Sequence, residues 1–135
     1  MTSSKCTSVI LCGVMMSATC SSVHAADNWV KYEANETADS FIDTDSVRTA
    51  GGITSYRVLQ NFHQRLSPML SVISFHEMKC AYKQSRFIKG ISYSERFGVG
   101  RVVGTMTAAM LGPKFVQFSP IENVQIDHYN VVCRR

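Results

Sequence analysis

Residues 70–82 read Leu-Ser-Val-Ile-Ser-Phe-His-Glu-Met-Lys-Cys-Ala-Tyr, and this stretch decides the fold. It is a long strand, and period two divides it into faces. Leu70, Val72, Ser74, His76, Met78, Cys80 and Tyr82 lie on one side; Ser71, Ile73, Phe75, Glu77, Lys79 and Ala81 lie on the other. If Cys80 has a covalent partner, its face is the one the rest of the chain must cover.

The other cysteines lie towards the two ends of the chain. At the amino end, Lys5 is the only charge before Asp27, and Thr7–Thr19 (TSVILCGVMMSAT) is apolar and small. That run is too short for a transmembrane span, which needs roughly 20 apolar residues. Val23 and Ala25 are small residues two apart, the spacing a leader peptidase accepts. The expected division is a leader over residues 1–25 and one domain over 26–135. A second reading acylates Cys20, although Thr19 is a poor neighbour for a lipidated cysteine; an uncleaved anchor is the third. Of five cysteines, Cys6, Cys12 and Cys20 lie in the leader, so cleavage leaves Cys80 and Cys133. A pair in a small exported domain most simply forms one disulfide; two buried free thiols are the alternative. The bridge would be worth on the order of 4 kcal/mol in the chain-entropy model.

Outside 70–82 the domain also reads mainly as strands. Asn28–Tyr32 and Ser40–Asp43 are short strands around the polar stretch Glu33–Asp39. Thr44–Gly52 reads as a turn that Asp45 or Ser46 caps and Gly51-Gly52 ends. Ile53–Phe62 alternates, with Tyr56, Val58, Gln60 and Phe62 on one face. Pro68 marks a connection. Ser85–Ser94 is expected to put Phe87, Ile91 and Tyr93 on one face. Arg101–Thr107 and Lys114–Phe118 are weaker strands around an unusual apolar segment, Thr107–Gly112. The last element is a helix. Ser119-Pro120-Ile121-Glu122 supplies a cap, a first-turn proline and a glutamate. Ile121, Val124, His128, Val131 and Val132 follow at helical spacing and end at Cys133.

The charge is mildly basic, and its distribution says more than its sum. Without Lys5 the chain keeps 13 basic and 10 acidic residues, a net charge of +3. Asp27, Glu33, Glu36, Asp39, Asp43 and Asp45 stand against Lys31 and Arg48 in the first part. Lys79, Lys83, Arg86, Lys89, Arg96 and Arg101 stand against Glu95 alone later on. The second stretch either meets an anionic partner or is a solvated sheet face.

Catalytic and metal chemistry find little support. His63 is expected in a connection, and His76 and His128 at the sheet–helix interface. A cysteine held in a disulfide is neither nucleophile nor metal ligand. Asp43-Thr44-Asp45 lacks the bidentate acid a calcium loop needs, so a capped turn is expected. Gly98, Gly100 and Gly104 lack the strand–turn–helix setting and the Lys-Ser/Thr pair of a phosphate loop. Neither a cofactor nor a nucleic acid is expected.

In order and spacing, these residues resemble the surface-adhesin protein E family of Gram-negative bacteria. The resemblance runs from Trp29-Val30 through Phe41-Ile42-Asp43 and Ser46-Val47 to Asn61-Phe62. It continues with Ser71, Glu77-x-x-Cys80 and Arg86, and ends at Phe118-Ser-Pro and Val132-Cys133. It implies an α+β, mainly β fold: about six antiparallel strands with a carboxy-terminal helix on one face, tied by the disulfide. It also implies a periplasmic or outer-membrane location, binding of extracellular-matrix proteins, and dimers. The family more often has Trp where Phe118 stands, and a polar loop where Thr107–Gly112 stands.

The expected function is therefore a non-enzymatic surface or periplasmic binding module. Its partner would be a protein or glycan, met by Lys83, Arg86, Lys89, Arg96 and Arg101. The alternative is a small periplasmic inhibitor or envelope-maintenance factor acting on another bacterial protein. Membrane association is expected only through acylation of Cys20. Unpaired strand edges point to a homodimer.

Overall fold

A computed structural model describes residues 28–118 and 123–134. The leader and the cap at 119–122 lie outside the described residues.

Antiparallel strands follow one another with short links. They are β1 (Trp29–Ala34), β2 (Ala38–Asp43), β3 (Arg48–Ala50), β4 (Ile53–Leu66), β5 (Met69–Lys79), β6 (Gln84–Tyr93), β7 (Val102–Thr107) and β8 (Val116–Gln117). The sheet order is β1-β2-β4-β5-β6-β7, with β3 added to β4 and β8 to β6. A single turn of helix, α1 (Ala108–Leu111), separates β7 from β8, and α2 (Asn123–Cys133) follows. The architecture is the expected mainly-β sheet with a carboxy-terminal helix.

The face carrying His76, Met78 and Cys80 holds the core. Ile42, Tyr56, Val58, Met78, Phe118 and Val132 are buried there, with Ile126, Tyr129, Val131 and Cys133 of α2 packed against them. Cys80 and Cys133 are joined, their Cα atoms 5.8 Å apart. Met78 lies beneath the bridge, its sulfur 3.4 Å from Cys133 Sγ. The bridge thus ties α2 to the 3₁₀ turn Cys80–Tyr82 that follows β5; the strand ends at Lys79 rather than at Tyr82 as expected, and Tyr82 is exposed instead of covered.

The opposite face is covered in part. Leu59 and Ile73 are buried there beside Asn61 and Ser71. The 3₁₀ turn Arg96–Gly98 folds over them. Asn61 Oδ1 accepts from the Phe97 N–H at 2.8 Å, and Ser71 Oγ accepts from the Gly98 N–H at 3.0 Å. Gly98 has φ +67°, and a Cβ on it would collide with Ile73 Cδ1. Only glycine fits that lid.

Four further expectations need correction. The β5–β6 ladder shifts so that His76 pairs with Phe87 and Phe75 with Lys89, leaving Ile88 as the extra residue of a bulge. Phe87 therefore shares the helix-bearing face, while Ile91 and Tyr93, paired with Ile73 and Ser71, point the other way. One inserted residue inverts strand parity, so strict alternation fails across it. The turn after β2 is capped by Asp43, whose Oδ1 accepts from the Asp45 N–H at 3.1 Å, and not by Asp45 or Ser46. Residues 48–50 are a strand, and Gly51 and Gly52, both with positive φ, turn it back into β4. His63 lies in β4 rather than in a connection.

Candidate functional site

The five bases expected to meet a partner do not form one patch. Lys83 stands just before β6, in the left-handed region with φ 49°. Arg96 and Arg101 lie beyond its other end. The 10 residues of β6 lie between them, which at about 3.3 Å per residue is roughly 30 Å. Arg96 Nη2 is engaged, donating to the His63 carbonyl at 3.2 Å.

What the sheet does assemble is a strip on the face away from α2. Register places Phe75 beside Lys89 and Glu77 beside Arg86, with Lys79 next along the strand. Lys89 Nζ lies 4.6 Å from the centre of the Phe75 ring. The chain entering β8 lays Phe115 between Lys79 Nζ at 4.3 Å and the Arg86 guanidinium at 4.4 Å. Arg86 Nε also donates to Glu77 Oε2 at 2.8 Å. Lys79, Arg86 and Lys89 are thus brought together with two aromatic rings, and Glu77 neutralises part of the charge. The sequence reading places Lys79 only in the basic run and assigns no site to Phe75 or Phe115; alternate bases and aromatics on paired strands are the signal for them.

The other face carries a buried cluster of rings. His128 of α2 sits between two phenols: Tyr56 Oη is 3.0 Å from its Nδ1 and Tyr32 Oη is 2.8 Å from its Nε2. A neutral imidazole donates from one nitrogen and accepts at the other, so one tyrosine gives its proton and the other receives one. His76 stacks on Tyr56 with ring centres 5.5 Å apart, and its Nε2 lies 2.8 Å from Ser74 Oγ. Burial holds the His76 ring down at about 4. Burial, and then the neighbouring His76, hold His128 down at about 3. Burial likewise pushes the Tyr32 phenol up to about 12 and raises that of Tyr56. All four groups are neutral at pH 7. An apolar cleft of about 370 Å³ opens beside them, lined by Val72, Phe87 and Met106 among others.

The two histidines meet as expected at the sheet–helix interface, their ring centres 5.6 Å apart, and His128 bonds across it while His76 bonds to Ser74 of its own strand. Their tyrosine partners escape the sequence reading. No cluster of three or more metal-ligating side chains occurs among the described residues. Asp43 carries out its capping role from a buried position, with Arg57 Nε donating to its Oδ2 at 2.7 Å and Trp29 beneath the guanidinium at 5.2 Å.

The model of the surface-adhesin protein E family matches residues 29–134. No curated protein matches the chain. Three solved structures of Haemophilus influenzae protein E share its fold. The selenomethionine form is 13% identical with a TM-score of 0.58, covering 77% of this chain and 91% of that one. Crystal form II is 13% identical with a TM-score of 0.55, covering 78% and 96%. Protein E from a non-typeable strain is 12% identical with a TM-score of 0.56, covering 83% and 79%.

Proposed function

This chain belongs to the surface-adhesin protein E family, and from that premise we propose that it is an exported, non-enzymatic binding module of the cell surface or periplasm. Its partner is an acidic or glycan-bearing polymer, such as an extracellular-matrix component. The observation that carries this reading is the strip of Lys79, Arg86 and Lys89 interleaved with Phe75 and Phe115. Cations held over rings present charge and apolar surface together, the combination that binds sulfated or acidic chains. Lys83, whose ammonium lies 5.8 Å from the centre of the Tyr129 ring on α2, is directed to the other face; Arg96 and Arg101, at the far end of β6, would serve only a long partner.

The non-enzymatic reading is supported by the state of the titratable groups. Cys80 and Cys133 are oxidised, and the buried imidazoles are committed to hydrogen bonds. The bridge also favours an oxidising compartment, the periplasm or the outer-membrane surface. The outer edge of β1 has no strand partner among the described residues, and pairing across it gives a homodimer.

The test is salt-dependent binding to heparin and to immobilised matrix protein. Lys79→Glu with Lys89→Glu is expected to weaken binding at least ~10-fold at about 0.1 M salt, where exposed charges act over about 10 Å. Arg86 is left intact so that its pair with Glu77 keeps the sheet unperturbed. Unchanged binding rejects the strip. Retrieval of an envelope protein instead, by pull-down, supports the inhibitor or envelope-maintenance alternative.

A further inference from the structure

We propose that the β7–α1–β8 edge is a contact surface for an anionic phospholipid bilayer. The proposal is independent of the polymer-binding strip, and the contact requires no acyl chain on Cys20.

Met110, Leu111 and Val116 are 70%, 60% and 65% exposed. Monomeric domains rarely leave large apolar side chains clustered in water unless something covers them. These residues are clustered. Leu111 and Val116 line one groove with Lys114, and Met106, also exposed, lines the adjoining cleft. Chain geometry puts them at an outer rim. Both β7 and β8 pair with β6, at Lys89–Tyr93 and at Gln84–Ser85. The single turn α1 sits on the chain between these pairings, and Gly112, with φ +99°, reverses it. Only Ala108 of α1 is partly buried; Met110 and Leu111 face outwards.

Charge selects the occupant. From Arg96 to Phe118 the sequence contains no Asp or Glu, while Arg96, Arg101 and Lys114 lie within it. Neither Arg101 nor Lys114 is ion-paired among the described residues. An apolar tip beside the unpaired Lys114, on a segment free of acids, matches a bilayer interface, with Met and Leu among the acyl chains and the cation at the phosphates. No described helix is long and apolar enough to cross a bilayer, so the contact is peripheral.

The test uses the protein purified from the cell envelope after its own processing. Leu111→Trp in a Trp29→Phe background places the only tryptophan at the tip; the unaltered chain, with Trp29 on β1 at the opposite edge, is the reference. With vesicles of phosphatidylglycerol and phosphatidylethanolamine, emission from the introduced indole is expected to shift to the blue and to be quenched at least twofold by brominated acyl chains. Vesicles of phosphatidylcholine alone should give no response. Met110→Ser with Leu111→Ser, both exposed and so neutral to folding, should lower co-sedimentation with the anionic vesicles at least ~10-fold. No quenching at any anionic fraction overturns the proposal. So does an equal response to phosphatidylcholine, or a blue shift that appears without lipid and grows with protein concentration, which marks a dimer.

Discussion

Protonating His128 reverses one bond in a hydrogen-bonded row of three rings, because an imidazolium donates from both nitrogens and the phenol that gave its proton must turn to accept. The folded protein holds His76 down at about 4 and His128 at about 3, chiefly by burial, while an unfolded histidine titrates near 6.5. The unfolded chain therefore binds more protons between these values, and stability falls as pH drops below about 6.5. Each histidine contributes a slope of up to roughly 1.4 kcal/mol per pH unit, so by pH 4 the loss is about 3 kcal/mol per ring. Urea unfolding at pH 7, 5.5 and 4.5 checks this. The profile of His128→Gln should be flatter, even though the variant is less stable at pH 7. Tyr56→Phe removes a partner from Nδ1 of a buried ring and should cost about 1–3 kcal/mol at pH 7. At this scale the sequence is half legible. Period two puts His76 on the covered face, and helical spacing turns His128 towards it. The bond from His128 to Tyr32 spans a sequence separation of 96, and no local pattern reports a contact of that range.

The element whose fate depends most on one bond is α2. Its 11 residues are too few for a stable isolated helix. Packing of Val132 and its neighbours on Tyr56 and Met78 holds it, and the bridge from Cys133 to Cys80 makes that packing intramolecular at high effective concentration. Reduction, or Cys80→Ser with Cys133→Ser, should lower unfolding free energy by about 4 kcal/mol, the chain-entropy figure for a loop of this size. Hydrogen exchange adds a discriminating readout: amides of residues 126–133 should gain most of the exchange, while those of β4 and β5 keep their protection. Exchange rising equally in β5 would mean that the sheet, and not the helix, leans on the bridge. The helix and its attachment are legible because cysteine count and end-of-chain spacing agree. The faces of β6 are not, because the bulge at Ile88 is set by how two strands twist against each other, which composition does not encode.

Across the whole molecule, strand order turns a sequential charge bias into a spatial one. Glu33, Asp39, Asp43 and Asp45 lie on β1, β2 and the turn after them; Lys79, Arg86 and Lys89 lie on β5 and β6, with Arg101 entering β7. The two groups are legible as sequence segments, but their separation is not, since it depends on β1 and β7 being opposite edges of one sheet. Six strands spaced about 4.8 Å put those edges roughly 24 Å apart, more than two screening lengths at about 0.1 M salt. The edges should therefore act independently, and an anionic surface should engage the basic one whatever the net charge. Lys31→Glu on β1 and Lys89→Glu on β6 change net charge equally. Lys31 gives up an exposed pair to Asp39 at 3.2 Å, typically worth about 0–1 kcal/mol. Lys89 gives up its contact over Phe75, worth about 0.5–1 kcal/mol. Neither loss unfolds a domain of this size. On a sulfonate resin at pH 7, Lys89→Glu should elute at clearly lower salt than Lys31→Glu. Coincident elution would mean that the resin reads total charge and that the polarity of the sheet steers nothing. With separate elution, the basic edge lands first on any polyanion, lipid or polymer, and the acidic edge is left facing solvent.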